Sequence, residues 1–132
     1  MTRFTILTAV LAAFGAAFAL FPAHADITDY AFELVSPSVP ASAEGIVDVR
    51  LIDKRSGAPV PDAVIIQTRL DMAPDAMEGM TSDIVALPSD VPGVYRFQVA
   101  LTMAGGWRIS LSAKVQGEEG TLDGALILAV TP

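Results

Sequence analysis

Met72, Met77 and Met80 fall within nine residues, in LDMAPDAMEGM (Leu70 to Met80), and Met103 stands just ahead of Gly105 and Gly106. Thioether sulfur is a soft, neutral donor that suits Cu(I) or Ag(I) and suits hard cations poorly. Unlike Cys or His it loses no proton on binding, and it cannot be locked into a disulfide. Its weakness is oxidation to the sulfoxide. The neighbours Asp71, Pro74, Asp75, Glu78 and Gly79 read as a segment that cannot continue a strand, and the carboxylates would draw a cation from long range. The competing role for methionine is core filling, which would place it where in-facing Leu or Val normally stand. All four methionines instead fall at or beyond expected strand ends.

Other chemistry is scarce. The chain opens MTR, runs uncharged from Phe4 to Phe21, and reaches Pro22 and the small-x-small site Ala23-His24-Ala25. This is the pattern of a secretory signal over residues 1–25 with cleavage after Ala25, and the alternative is an uncleaved membrane anchor. The expected mature chain, residues 26–132, has no His and no Cys. It lacks the imidazole or thiol that Ser-His-Asp or Cys-His catalysis requires, and the ligands that zinc prefers. Seven basic and fifteen acidic residues leave it at −8, which opposes binding to nucleic acid or anionic membranes. The domain is expected to be non-catalytic, soluble, and periplasmic or secreted, anchored to a membrane only if the signal is kept. Without cysteine its stability must come from packing.

The elements that would hold the methionines follow from alternation. Val47, Val49 and Leu51 share one face, as do Tyr95, Phe97, Val99 and Leu101, and Trp107, Ile109, Leu111, Ala113 and Val115. Val64, Ile66, Thr68 and Leu70 form a weaker set, with Leu122, Leu126, Leu128 and Val130 another, and Tyr30 to Val35 and Ile84 to Leu87 are short candidates. Pro- and Gly-bearing stretches separate them, among them SPSVPASAEG, DKRSGAPVPD and PSDVPG. The pattern predicts an all-β, immunoglobulin-like Greek-key sandwich of about seven strands over residues 26–132. In PGVYRF, Tyr95 resembles a tyrosine corner, with its hydroxyl bonded to backbone a few residues upstream, and the alternative is a large core residue with its hydroxyl at the rim. Gly105 and Gly106 read as a tight hairpin. With one strand, Ile84 to Leu87, between those ending near Leu70 and Leu101, two reversals bring both methionine loops to one end of the domain.

From Gly45 to Val130 the chain resembles the small exported domains grouped as FixH-like or YtkA-like. The resemblance rests on Asp53, Gly57, Pro59, Val60, Ala63 and Val64, then the methionine loop, Pro92-Gly93-x-Tyr95 and Met103-x-Gly105-x-Trp107. It implies an exported or membrane-anchored β-sandwich associated with copper handling, copper export or the maturation of copper enzymes, and so a copper-handling or membrane-transport partner. Carried onto this chain, Met72, Met77, Met80 and Met103 would hold Cu(I). The chain departs from the metal-rich members in having no histidine and in placing four residues between Met72 and Met77.

Three other readings stay open. The methionine loop would serve equally as a soft apolar surface for a protein partner. Trp107 and Tyr30 could line a small-molecule pocket between the sheets. Asp71, Asp75, Glu78 and Asp83 could hold a hard cation, though they lack the alternating oxygen spacing of a calcium loop and more commonly form a solvated face.

Overall fold

A strand that alternates apolar and polar residues is stable only if its apolar face meets another apolar layer. The computed structural model describes residues 26–132, and the expected signal segment lies outside the described residues. Nine strands follow one another: β1 (Tyr30–Leu34), β2 (Ser38–Pro40), β3 (Ser42–Asp53), β4 (Val64–Met72), β5 (Met77–Ser82), β6 (Ile84–Leu87), β7 (Val94–Leu101), β8 (Gly105–Lys114) and β9 (Leu122–Thr131). They form two sheets, ordered β1-β3-β7-β6 and β2-β9-β8-β4-β5. All pairings are antiparallel except β2 with β9. This is the immunoglobulin-like sandwich that the alternation predicts, with nine strands rather than about seven.

The two extra strands are those that alternation cannot signal. β2 is three residues long and is held by register with the end of β9, Ser38 opposite Ala129 and Pro40 opposite Thr131. β5 occupies the methionine segment that reads as loop. Its register with β4 jumps from Asp71–Thr81 to Met72–Met77, so Glu78, Gly79 and Met80 bulge out between two paired ends.

The core lies between the sheets. Val47, Val49, Leu51, Phe97, Val99, Leu101, Trp107, Ile109, Leu111, Ala113 and Leu128 are buried, as their alternation requires. The weak set of β4 is only half right. Thr68 and Leu70 face inward opposite Leu111 and Ile109, but Val64 and Ile66 are exposed. A register shift between Ile65 and Gln67 supplies one extra residue, which turns Ile65 rather than its neighbours toward the core.

Tyr95 is structural, but it forms no local corner. Its hydroxyl donates to the Val60 carbonyl at 2.7 Å and accepts from the Ala63 N–H at 3.0 Å, so it pins the β3–β4 connection across the bottom of the sandwich. Gly93, at φ +78°, lies so close under Pro59 of that connection that no side chain fits there. Replacing Tyr95 with Phe should cost about 1–2 kcal/mol in a urea melt, because two bonds are lost and partly buried backbone groups lose their partner.

Directions fix where the loops emerge. β5 runs antiparallel to β4, and after Asp83 alone the chain continues as β6 in the other sheet, antiparallel to β7. β5 and β6 are therefore one descending passage divided between two sheets. β4 and β7 both ascend, and the turns that follow them lie at the same end.

Candidate functional site

At that end β4 closes with three consecutive buried residues, Leu70, Asp71 and Met72. Leu70 and Met72 point into the core, and Asp71 takes the other face. Pro74 helps set a single 3-10 turn at Ala73–Asp75, and Ala76 at φ 59° reverses the chain into β5. This turn sits on the first residues of β8. The Asp75 Oδ2 accepts the Gly106 N–H at 3.1 Å. Gly105 (φ +138°) leaves no room for a Cβ beside the Asp75 carboxylate and the Met72 methyl. A Cβ on Gly106 would stand 2.8 Å from Pro74. These glycines form no tight hairpin, because β7 and β8 belong to different sheets. They are small because a second loop packs on them.

The four methionines are distributed unequally. Met72, 0% exposed, and Met77, half-buried against the core, are directly opposed across the β4–β5 pair, which puts their side chains side by side. The Met72 methyl abuts Gly105, two residues from Met103. Met103 is 43% exposed, and its carbonyl accepts the Trp107 indole N–H at 2.9 Å. Met80 rides on the β5 bulge at 38% exposure. Met72 therefore occupies the core position that core filling predicts, Met77 adjoins it, Met103 stands at the rim of the same end, and Met80 projects from the bulge.

The residue that sequence reasoning misplaced is Asp71. Instead of lying on a solvated face it is 0% exposed, and its Oδ2 accepts from Arg69 at 2.8 Å and Arg108 at 2.9 Å. Its Oδ1 accepts the Ala73 N–H at 3.0 Å. Arg69 also donates to the Glu78 carbonyl at 3.0 Å, so one carboxylate anchors both limbs of the methionine segment. Burial pushes the Asp71 pKa up, but the two guanidinium bonds and the Ala73 N–H together outweigh it and hold the carboxyl below its ordinary range. The signal available in the sequence was R-x-D in β4 facing Arg108 in β8, which becomes visible only once those strands are paired.

The hard-cation alternative loses two of its ligands, since Asp71 is committed to two arginines and Asp75 to Gly106. Among the described residues no three of His, Cys, Asp and Glu converge. Trp107 is core, and Tyr30 donates to Glu118 at 3.1 Å. The depression beside Tyr30, lined also by Asp53, Pro59 and Val115, does not include Trp107.

The family model described as YtkA-like matches residues 24–112. The chain belongs to the YtkA-like family. The match begins before β1 and ends within β8, so both methionine turns of this YtkA-like domain lie inside it. Among solved structures the chain is similar to the crystal structure of the Lin-41 filamin domain, at 17% identity and a TM-score of 0.46, over 76% of this chain and 91% of that one. It is also similar to the ZirS C-terminal domain, at 12% identity and a TM-score of 0.46, over 100% of this chain and 86% of that one. No curated protein matches the chain.

Proposed function

We propose that this YtkA-like domain is an exported, non-catalytic accessory protein that binds Cu(I) through Met72, Met77, Met80 and Met103 for copper handling or efflux. The observation that carries the reading is the clamp between the two methionine turns, in which Asp75 of one accepts the Gly106 N–H of the other. It fixes the Met72–Met77 pair against the turn that bears Met103. The donor set suits the ion, because neutral thioethers match a soft monovalent cation and need no deprotonation. In this reading the buried Met72 and half-buried Met77 would form the floor of the site, and the partly exposed Met103 and Met80 would close it from outside. Export rests on the signal pattern of residues 1–25, and the partner in this reading is a copper-handling or membrane-transport protein.

Titration with Cu(I) against a colorimetric chelator should give saturable uptake by the wild type and none by a variant with all four methionines replaced by leucine. Leucine for methionine is nearly volume-conserving, so the variant should keep its fold, with each change costing less than about 1.5 kcal/mol. Equal uptake by both proteins, or none by either, would overturn the reading. The second reading, an apolar contact surface for a protein partner, is favoured by the exposure of Met80 and Met103. It requires that the leucine variant keep its biological activity, because leucine preserves the apolar surface and removes only the sulfur.

A further inference from the structure

Four strands end the two sheets, β1 and β6 in one, β2 and β5 in the other. Unpaired edges invite other chains, and proteins usually obstruct them. Here β2 is three residues ending in Pro40, and β5 is bulged and carries Glu78. β1 carries Glu33 and lies against β9, with its Phe32 ring on Gly124. β6 is also short, at four residues, but nothing within it obstructs pairing. Ile84-Val85-Ala86-Leu87 is uncharged, its register with β7 is unbroken, and among the described residues no strand pairs with its other edge.

The strand switch that creates β6 also opens the space beside it. β5 pairs only with the last three residues of β4, so among the described residues Val64–Arg69 have no strand neighbour on that side. Between this stretch and β6 lies a cavity of about 340 Å³ lined by Ile65, Ala86, Leu87, Tyr95, Phe97 and Asp90, among others. Ala86 stands opposite the fully buried Phe97 and so faces inward, yet it is exposed, because a methyl group cannot close the gap. Val85, on the outer side of the same edge, is 56% exposed. The basic residue at the cavity, Arg96, is held in a two-point pair with Asp48 at 2.8 and 3.0 Å. The carboxylate of Asp90 makes no ion pair among the described residues; the Arg96 guanidinium feels its charge but is held by Asp48, so two carboxylates face one guanidinium and the net charge here is negative.

We propose that β6 and this cavity form a docking site for an extended peptide segment of another protein. The segment adds as a strand beside β6, apolar at the alternate positions that face Ala86 and basic where it passes Asp90. Backbone hydrogen bonds supply the pairing, and the cavity selects the side chains. The site lies at the end of the sandwich away from the methionine turns and does not depend on metal.

The test uses an array of nine-residue peptides with Val or Leu at alternate positions and either Lys or Glu at one end, measured against the purified protein by fluorescence anisotropy. Lys-ended peptides should bind saturably and about tenfold more tightly than Glu-ended ones at low salt. Ala86→Leu, which narrows the cavity, and Val85→Lys, which charges the edge from a solvent-facing position, should each weaken binding at least about tenfold, with thermal melting little changed. Absence of binding across the array, indifference to the end charge, or unchanged binding in the Val85→Lys protein would overturn the proposal. So would concentration-dependent self-association through β6, because the occupant would then be a second copy of the chain.

Discussion

Asp71→Ala should lower the unfolding free energy by about 2–4 kcal/mol in urea melts at pH 7. The carboxylate is fully buried and accepts three hydrogen bonds, from Arg69, Arg108 and the Ala73 N–H. Removing it leaves two guanidinium groups facing each other with nothing between them. Arg69 and Arg108 keep part of their hydration, which places the expected loss below that of a wholly buried pair. Arg108 would suffer more, since its Nε is buried and has no partner among the described residues even with Asp71 in place. The pH dependence follows from the direction of the shift. A carboxyl whose pKa is held below its unfolded value of about 3.9 adds stability that is complete above that value. That stability drains away as pH falls through the lower folded value. Wild type and Asp71→Asn should therefore differ most near neutrality and converge in acid. A constant gap between the two curves from pH 7 to pH 2 would mean that Asp71 does not titrate as its surroundings require.

Trp107→Ala should cost about 3–5 kcal/mol, because it removes the largest fully buried side chain at the junction of the core and the methionine end. For a domain of this size that corresponds to a fall in melting temperature of more than about 12 °C. Trp107→Phe separates two contributions. It keeps most of the buried ring area but frees the Met103 carbonyl that the indole N–H holds, and it should cost only about 1–2 kcal/mol. If both variants melt alike, Trp107 matters for that hydrogen bond and not for its volume.

Much of the sandwich was legible because alternation reports burial directly. Trp107 through Val115 and Tyr95 through Leu101 could be assigned faces from spacing alone, and the structure keeps those faces. The assignment failed where one inserted residue reversed it, at Ile65 to Gln67, because a bulge leaves no mark in hydrophobic periodicity. β5 was hidden for a related reason, since three bulged residues, one of them Gly79, interrupt its pairing. The candidate site was half legible. That both methionine turns lie at one end followed from counting strand reversals, and it holds because β5 and β6 act as one passage. That Met72 is core while Met103 is open could not be read from sequence, since methionine suits either setting. The burial of Asp71 was hidden because its second arginine arrives from a strand 37 residues away.

The parallel pairing of β2 with β9 also sets the order in which this chain can become a protein. Ser38 meets Ala129 and Pro40 meets Thr131, so one of the first strands made waits for the last. A chain emerging from its N-terminus can form β1 against β3 early, but it cannot seat β2 until β9 is available. Long-range closure of this kind is slow compared with local pairing. Until then the C-terminal sheet lacks its outermost member, and β9 presents an unoccupied flank. Acquisition of the native state is thus tied to the arrival of β9, and loss of Ala129–Thr131 would unseat β2, far upstream in the sequence.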